Sequence, residues 1–226
     1  FVSLLKFGVC DIYINPTEMA KEEAKLNSGY EFYQIITDFT EPLEIFREAF
    51  QNSVDEGATN IFCRAFEVID LGKSDLYVDI WDDGTGLKKE EADCFIGLAM
   101  STKRDANGAP NPNKLGYKGH GTKIFFNSEE ISVLSKNGDE TWALKLGDPV
   151  AQIRERNTFH YEFVDPSTLS FALPKEFNSG FWVRIKNPKY FTTHHTRFKL
   201  NHLYLRDYCN NSTVFGSVRT FFDDDR

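Results

Sequence analysis

Glu44, Glu48, Gln51, Asn52 and Asp55 recur three and four residues apart, so on a helix they project carboxylates and amides from one face. A strand-like run from Asp75 to Trp81 leads straight into Asp82-Asp83-Gly84-Thr85-Gly86-Leu87. Two glycines one residue apart after a strand let the backbone turn tightly and approach a ligand, and an acidic residue there can accept a hydrogen bond from an exocyclic amine. Further on, Gly116-Tyr117-Lys118-Gly119-His120-Gly121-Thr122-Lys123 opens a helix. Successive backbone N–H groups at such a start form an anion site, for which phosphate is the obvious guest. From Ser101 to Lys123 the chain carries Lys103, Arg104, Lys114, Lys118 and Lys123 against Asp105 alone, a basic stretch inside a chain of formal charge -8. Each feature has a plainer account: a solvated polar helix face, an ordinary β-turn, or a histidine merely tolerated at position 120.

Two commoner phosphate motifs fail here. A P-loop needs Gly-x-x-x-x-Gly-Lys-Ser/Thr directly after a strand, whereas this cluster reads Gly-Thr-Lys and follows a loop. The dinucleotide fingerprint Gly-x-Gly-x-x-Gly has the reverse spacing and a βαβ setting that is missing here.

The elements that must position these residues are legible in outline. Thr40 is a good N-cap, with Glu41 and Pro42 in the first turn, for a helix ending near Gly57. Leu43, Phe46, Phe50 and Val54 form its apolar stripe. Thr17 to Ala24, Tyr30 to Ile36, Lys88 to Ala99 and Phe198 to Cys209 also read as helices. Asn60 to Ile69, Asp75 to Trp81, Glu130 to Leu134, Thr141 to Leu146, Thr158 to Phe163 and Phe181 to Ile185 read as strands, with another from Val214. Asn107 to Asn113 reads as a loop. Segregated helices and strands predict an α+β fold with a mixed or antiparallel sheet and helices on one face.

Composition narrows the class. At 41% hydrophobic residues, 226 residues bury one substantial core. The acidic balance argues against whole-surface nucleic-acid binding. Cys10, Cys63, Cys94 and Cys209 make no Cys-x-x-Cys pair, which points to reduced thiols. No run reaches the ~18 apolar residues of a membrane span, and no signal pattern opens the chain, so a cytoplasmic protein is expected. His194, His195 and His202 lack a completing ligand set for a metal. The Phe start and the abrupt Asp-Asp-Asp-Arg end suggest a piece of a longer protein.

Glu48-x-x-x-Asn52-x-x-Asp55-x-Gly57-Ala58, then Asp82-x-Gly84-x-Gly86, then Gly116-x-x-Gly119-x-Gly121 resemble, in type, order and spacing, the boxes of the GHKL ATPases. That superfamily includes type II topoisomerase ATPase domains, ninety-kilodalton heat-shock chaperones, histidine kinases, MutL and the MORC proteins. The likeness spans roughly Leu43 to Lys186. Its flavour at Ser101-Thr102-Lys103 and Gly119 to Lys123 is closest to MORC-like and related bacterial ATPases.

The resemblance implies a Bergerat-type α/β sandwich, a mixed and largely antiparallel sheet with helices on one face, binding ATP and Mg²⁺. It makes Glu48 the general base, Asn52 the Mg²⁺ ligand and Asp82 the reader of the adenine amine. Asp55 would support Asp82 or the helix, and Gly84 and Gly86 would admit base and sugar. Gly116, Lys118, Gly119, His120, Gly121, Thr122 and Lys123 would hold phosphates, with Ser101, Thr102 and Lys103 opening a lid. One departure stands out: many relatives place a Thr after the glycine of a late strand, where this chain has Phe181 after Gly180.

An ATPase domain over residues 1–190, followed by a truncated transducer-like segment over 191–226, is therefore expected. Its partners would be ATP and ADP, with self-association on ATP binding, no membrane, and nucleic acid by family analogy alone. A nucleotide-sensing module without turnover and a histidine-kinase-like phosphotransferase are the alternatives.

Overall fold

A computed structural model describes residues 27–39, 41–98, 121–169, 178–192 and 202–214. Its sheet has six strands: β1 (Ile61–Asp70), β2 (Lys73–Asp82), β3 (Glu130–Asn137), β4 (Glu140–Gly147), β5 (Glu162–Val164) and β6 (Gly180–Lys186). They lie in the order β1-β2-β6-β3-β4-β5, and every described pairing is antiparallel. The helices are α1 (Ser28–Thr37), α2 (Glu44–Asp55), α3 (Ala92–Ile96), α4 (Pro149–Arg156), α5 (Lys189–Thr192) and α6 (His202–Ser212). The architecture is the expected α/β sandwich.

Register explains why one face takes the helices. Val78 pairs with Ile185 and Ile80 with Val183; these align in turn with Ile131, Val133, Leu144 and Leu146 on β3 and β4. All eight side chains are buried, together with Ile36, Phe46, Phe50, Phe95, Ile124 and Phe126 from the helical layer. Each such side chain contributes about 1.5–3 kcal/mol of transfer free energy, which makes this layer the principal adhesive of the fold. On the opposite face, Asp79 is fully buried between Arg64 and Arg184, which hold it at 2.6–2.9 Å.

Several expected boundaries move. α2 starts at Glu44, with Leu43 at its cap position and no side-chain cap bond; Thr40 lies outside the described residues. It ends as expected: Gly57, at φ +75°, sends its N–H to Val54 while Ala58 reaches Ser53, a Schellman closure. The helix expected over Lys88 to Ala99 is a 3-10 turn, Lys89–Glu91, and the short α3, because Gly97 adopts an extended backbone. The strand expected over Thr158 to Phe163 pairs only over Glu162–Val164, since Phe159 packs instead on Phe32 and Phe126. Helix α4 was not foreseen, although Asp148 caps it through Ala151 N–H and Pro149 stands in its first turn. The expected helix over Thr17 to Ala24, residues 198–201 and the strand following Val214 fall outside the described residues.

Candidate functional site

Helix α2 organises the site. Ile45, Phe46, Ala49, Phe50 and Ser53 form its buried face, whereas Val54, expected in the stripe, is 37% exposed. Ser53 replaces it because its hydroxyl has work at that position: it donates to Asp82 Oδ2 at 2.7 Å, with the Ala49 carbonyl a second acceptor within reach at 3.1 Å. Nothing in the spacing singled out Ser53; only the meeting of α2 with the end of β2 does.

Asp82 closes β2 and is 8% exposed. Besides Ser53, its carboxylate accepts the Gly84 N–H at 3.0 Å and the Phe181 N–H. Burial raises its pKa against these three hydrogen bonds, which pull the other way. Phe181, noted above for replacing a Thr, therefore takes part through its backbone, while its ring packs 5.4 Å from that of Phe95. Neighbouring Asp83 is pushed the opposite way. Desolvation raises it, but donors from Asn60 and Thr59 win and hold it near about 2. Those four bonds, at 2.7–2.8 Å, tie the end of β2 to the loop after α2.

The glycines of this turn are demanded by protein packing. A Cβ on Gly84 would lie 3.0 Å from both Asp82 Oδ1 and the Glu56 carbonyl. Gly86 sits at φ +68°, and a Cβ there would run into the carbonyls of Lys136 and Gly180. The turn is bolted down further by Thr85 N–H to the Glu56 carbonyl, Leu87 N–H to Ser135 Oγ, and Trp142 Nε1 to the Leu87 carbonyl.

Five residues before Ser53, about 7.5 Å along the axis, Glu48 projects from α2 with its side chain 16% exposed. Arg47 Nη2 lies 2.9 Å from its Oε1. Its Oε2 lies where a Cβ on Gly121 would fall. The carboxylate thus rests against the start of the 3-10 helix Gly121–Phe126. A Gly121→Ala variant should fold with stability changed by less than about 1 kcal/mol, because the clashing atom ends a flexible side chain. It should nevertheless displace Glu48; if Glu48 is the base, turnover falls about 10- to 100-fold, which a phosphate-release assay beside a melting curve checks.

Asn52 follows Glu48 by one turn and is half-buried, and Asp55 is buried at 9%. The anion-binding start expected at Gly121 is a six-residue 3-10 helix rather than an α-helix. Thr122 Oγ1 donates to the Phe95 carbonyl at 3.4 Å. Lys123, expected on phosphate, is fully buried. Its Nζ donates to the Phe95 carbonyl and Thr122 Oγ1 and lies 5.4 Å from the centre of the Phe126 ring. Burial lowers its pKa to about 7. The core needs its aliphatic stem, and the end of α3 supplies the acceptor, so this cation is drawn inward. Ser101, Thr102, Lys103, Gly116, Lys118, Gly119 and His120 lie outside the described residues.

No protein-family model matches the chain. Over 130 residues, 57% of its length, it is 27% identical to the DNA mismatch repair protein MutL of Thermosipho africanus. MutL is among the proteins whose boxes the three motifs resemble. The matched stretch covers 21% of the MutL chain. Among the described residues no helix is long and apolar enough to cross a membrane, and no group of three His, Cys, Asp or Glu side chains could hold a metal.

Proposed function

We propose that this chain binds Mg²⁺-ATP and hydrolyses its γ-phosphate, with Glu48 as the general base and Asp82 as the acceptor for the adenine amine. The observation that carries the reading is that one helix addresses both ends of the site. α2 sets Glu48 against Gly121 and, through Ser53, holds the Asp82 carboxylate. A buried carboxylate with fixed donors is a rigid acceptor for an exocyclic N–H, and a carboxylate one and a half turns away can orient water.

The donor set fits Mg²⁺ arriving with the nucleotide. That ion keeps several waters and takes phosphate oxygens, so the single carboxamide of Asn52 suffices as a protein ligand. When bound, Mg²⁺ neutralises phosphate charge. Gly121 and Thr122 would supply phosphate contacts, together with Ser101, Thr102, Lys103, Gly116, Lys118, Gly119 and His120. Lys123 takes no part from its buried position. Nucleotide binding would promote self-association in a cytoplasmic protein, with the segment from 191 onward beginning a transducer-like unit. A DNA-directed role rests on the MutL likeness alone.

The test measures ATP turnover and oligomeric state of the 226-residue chain, with and without a non-hydrolysable analogue. Turnover requiring Mg²⁺ and a shift to dimer with the analogue are expected. Binding with neither hydrolysis nor a change in assembly would overturn the reading.

A further inference from the structure

Arg47 sits between two carboxylates of its own helix, 2.9 Å from Glu48 Oε1 and 3.1 Å from Glu44 Oε1. Tyr208, on α6, comes near enough to the guanidinium for Arg47 to lower the phenol's pKa through both charge and hydrogen bonding. That phenol is half-buried; burial pushes its pKa up to about 12, with Arg47 pulling the other way and Glu44 and Glu41 adding to the rise. It therefore stays neutral, and a neutral phenol oxygen is an acceptor that a guanidinium can use. Leu205, Tyr208, Cys209 and Val214 pack against the main core, so the hydroxyl is held in place by the seating of α6.

A guanidinium offers five N–H donors in a planar fork, enough to serve Glu44, Glu48 and Tyr208 together. An ordinary exposed pair along a helix would involve Glu44 alone and contribute little. Here the same group binds one oxygen of Glu48 and leaves the other facing Gly121.

We infer that Arg47 is the positioning residue for the Glu48 carboxylate, and that Tyr208 fixes Arg47, so that the docking of α6 governs the aim of the base. The catalytic consequence rests on the role proposed for Glu48. Phosphoryl transfer asks little covalent chemistry of the protein and much positioning, so losing either contact should act on kcat.

The experiment uses the 226-residue chain and two readouts. In steady-state ATP turnover, Arg47→Met lowers kcat about tenfold with KM within about twofold, Tyr208→Phe lowers it about threefold, and Arg47→Lys recovers part of the loss. The double variant Arg47→Met, Tyr208→Phe is no slower than Arg47→Met, because the two residues act in series. The second readout is the carboxyl titration of Glu48 by carbon NMR without nucleotide. Among the described residues, the groups bearing on it include Arg47 and Glu44 of α2, Tyr208 of α6 through Arg47, and the backbone at Gly121. Its midpoint moves to higher pH in Arg47→Met and, less, in Tyr208→Phe, with no further movement in the double variant. A parent that binds ATP without turning it over would sink the hydrolysis reading, and the titration would still decide the inference. An unmoved midpoint in Tyr208→Phe, or additive effects in the double variant, would overturn it.

Discussion

Glu48→Ala is expected to bind ATP within about threefold of the parent and to turn it over about 10²- to 10⁴-fold more slowly, the range a positioned proton acceptor supplies. Affinity and chemistry separate because they sit on different parts of α2. Ser53 and the Asp82 cradle are untouched by the change, whereas the carboxylate between Arg47 and Gly121 is lost. Glu48→Gln sharpens the test: it keeps the volume and a hydrogen bond from Arg47 but removes the proton acceptor, so it should be as slow as Glu48→Ala. Titration with a fluorescent nucleotide measures the first quantity and phosphate release the second. Turnover equal to the parent's in either variant removes Glu48 from its role.

Asp82→Asn should weaken ATP binding about 10- to 100-fold, the discrimination expected when a buried site loses the polar partner of a substrate N–H. The same change should raise thermal stability. Burial raises the pKa of Asp82 in the folded state, so folding favours its protonated form. That contribution is fully present below the ordinary carboxylate pKa and is lost as pH rises through the raised value, so at neutral pH ionised Asp82 opposes folding. Asn carries no charge, can accept from Gly84 N–H and can donate to Ser53 Oγ. Each kcal/mol relieved raises the melting temperature by about 2–4 °C in a chain of this size. Conversely, ATP affinity of the parent should fall on acidification sooner than an unperturbed carboxylate would require. Calorimetric melting and nucleotide Kd against pH check both halves; an unchanged Kd in the variant would remove Asp82 as the adenine reader.

The legible parts of the site are those whose signals are local. Helical spacing alone groups Glu48, Asn52 and Asp55 on one face of α2, their roles being implied only by the resemblance, and Gly57 closes α2 where a C-terminal glycine should. The order of strands and helices gives the sandwich, and alternation in Asp75 to Trp81 sets Val78 and Ile80 in the row that meets the helices. Helix α4 was legible too, through Asp148 and Pro149, but its weak amphipathy hid it beside stronger neighbours. Val54 shows where periodicity runs out. Residues 53 and 54 can both continue a stripe through 43, 46 and 50, and the need of Asp82 for a donor selects Ser53.

By itself the sequence determined most of the described strands and helices, α4 excepted, and the spacing of three motif boxes, since these are set by side-chain period and backbone freedom over a few residues. The tertiary structure alone decided that Phe181 serves Asp82 through its N–H, that Gly86 answers to the carbonyls of Lys136 and Gly180, and that Lys123 turns inward. Each of these depends on an acceptor, donor or wall supplied by a distant segment. Burial and hydrogen-bond partnership are properties of the packed layers, and no local pattern encodes which distant group will fill a given space.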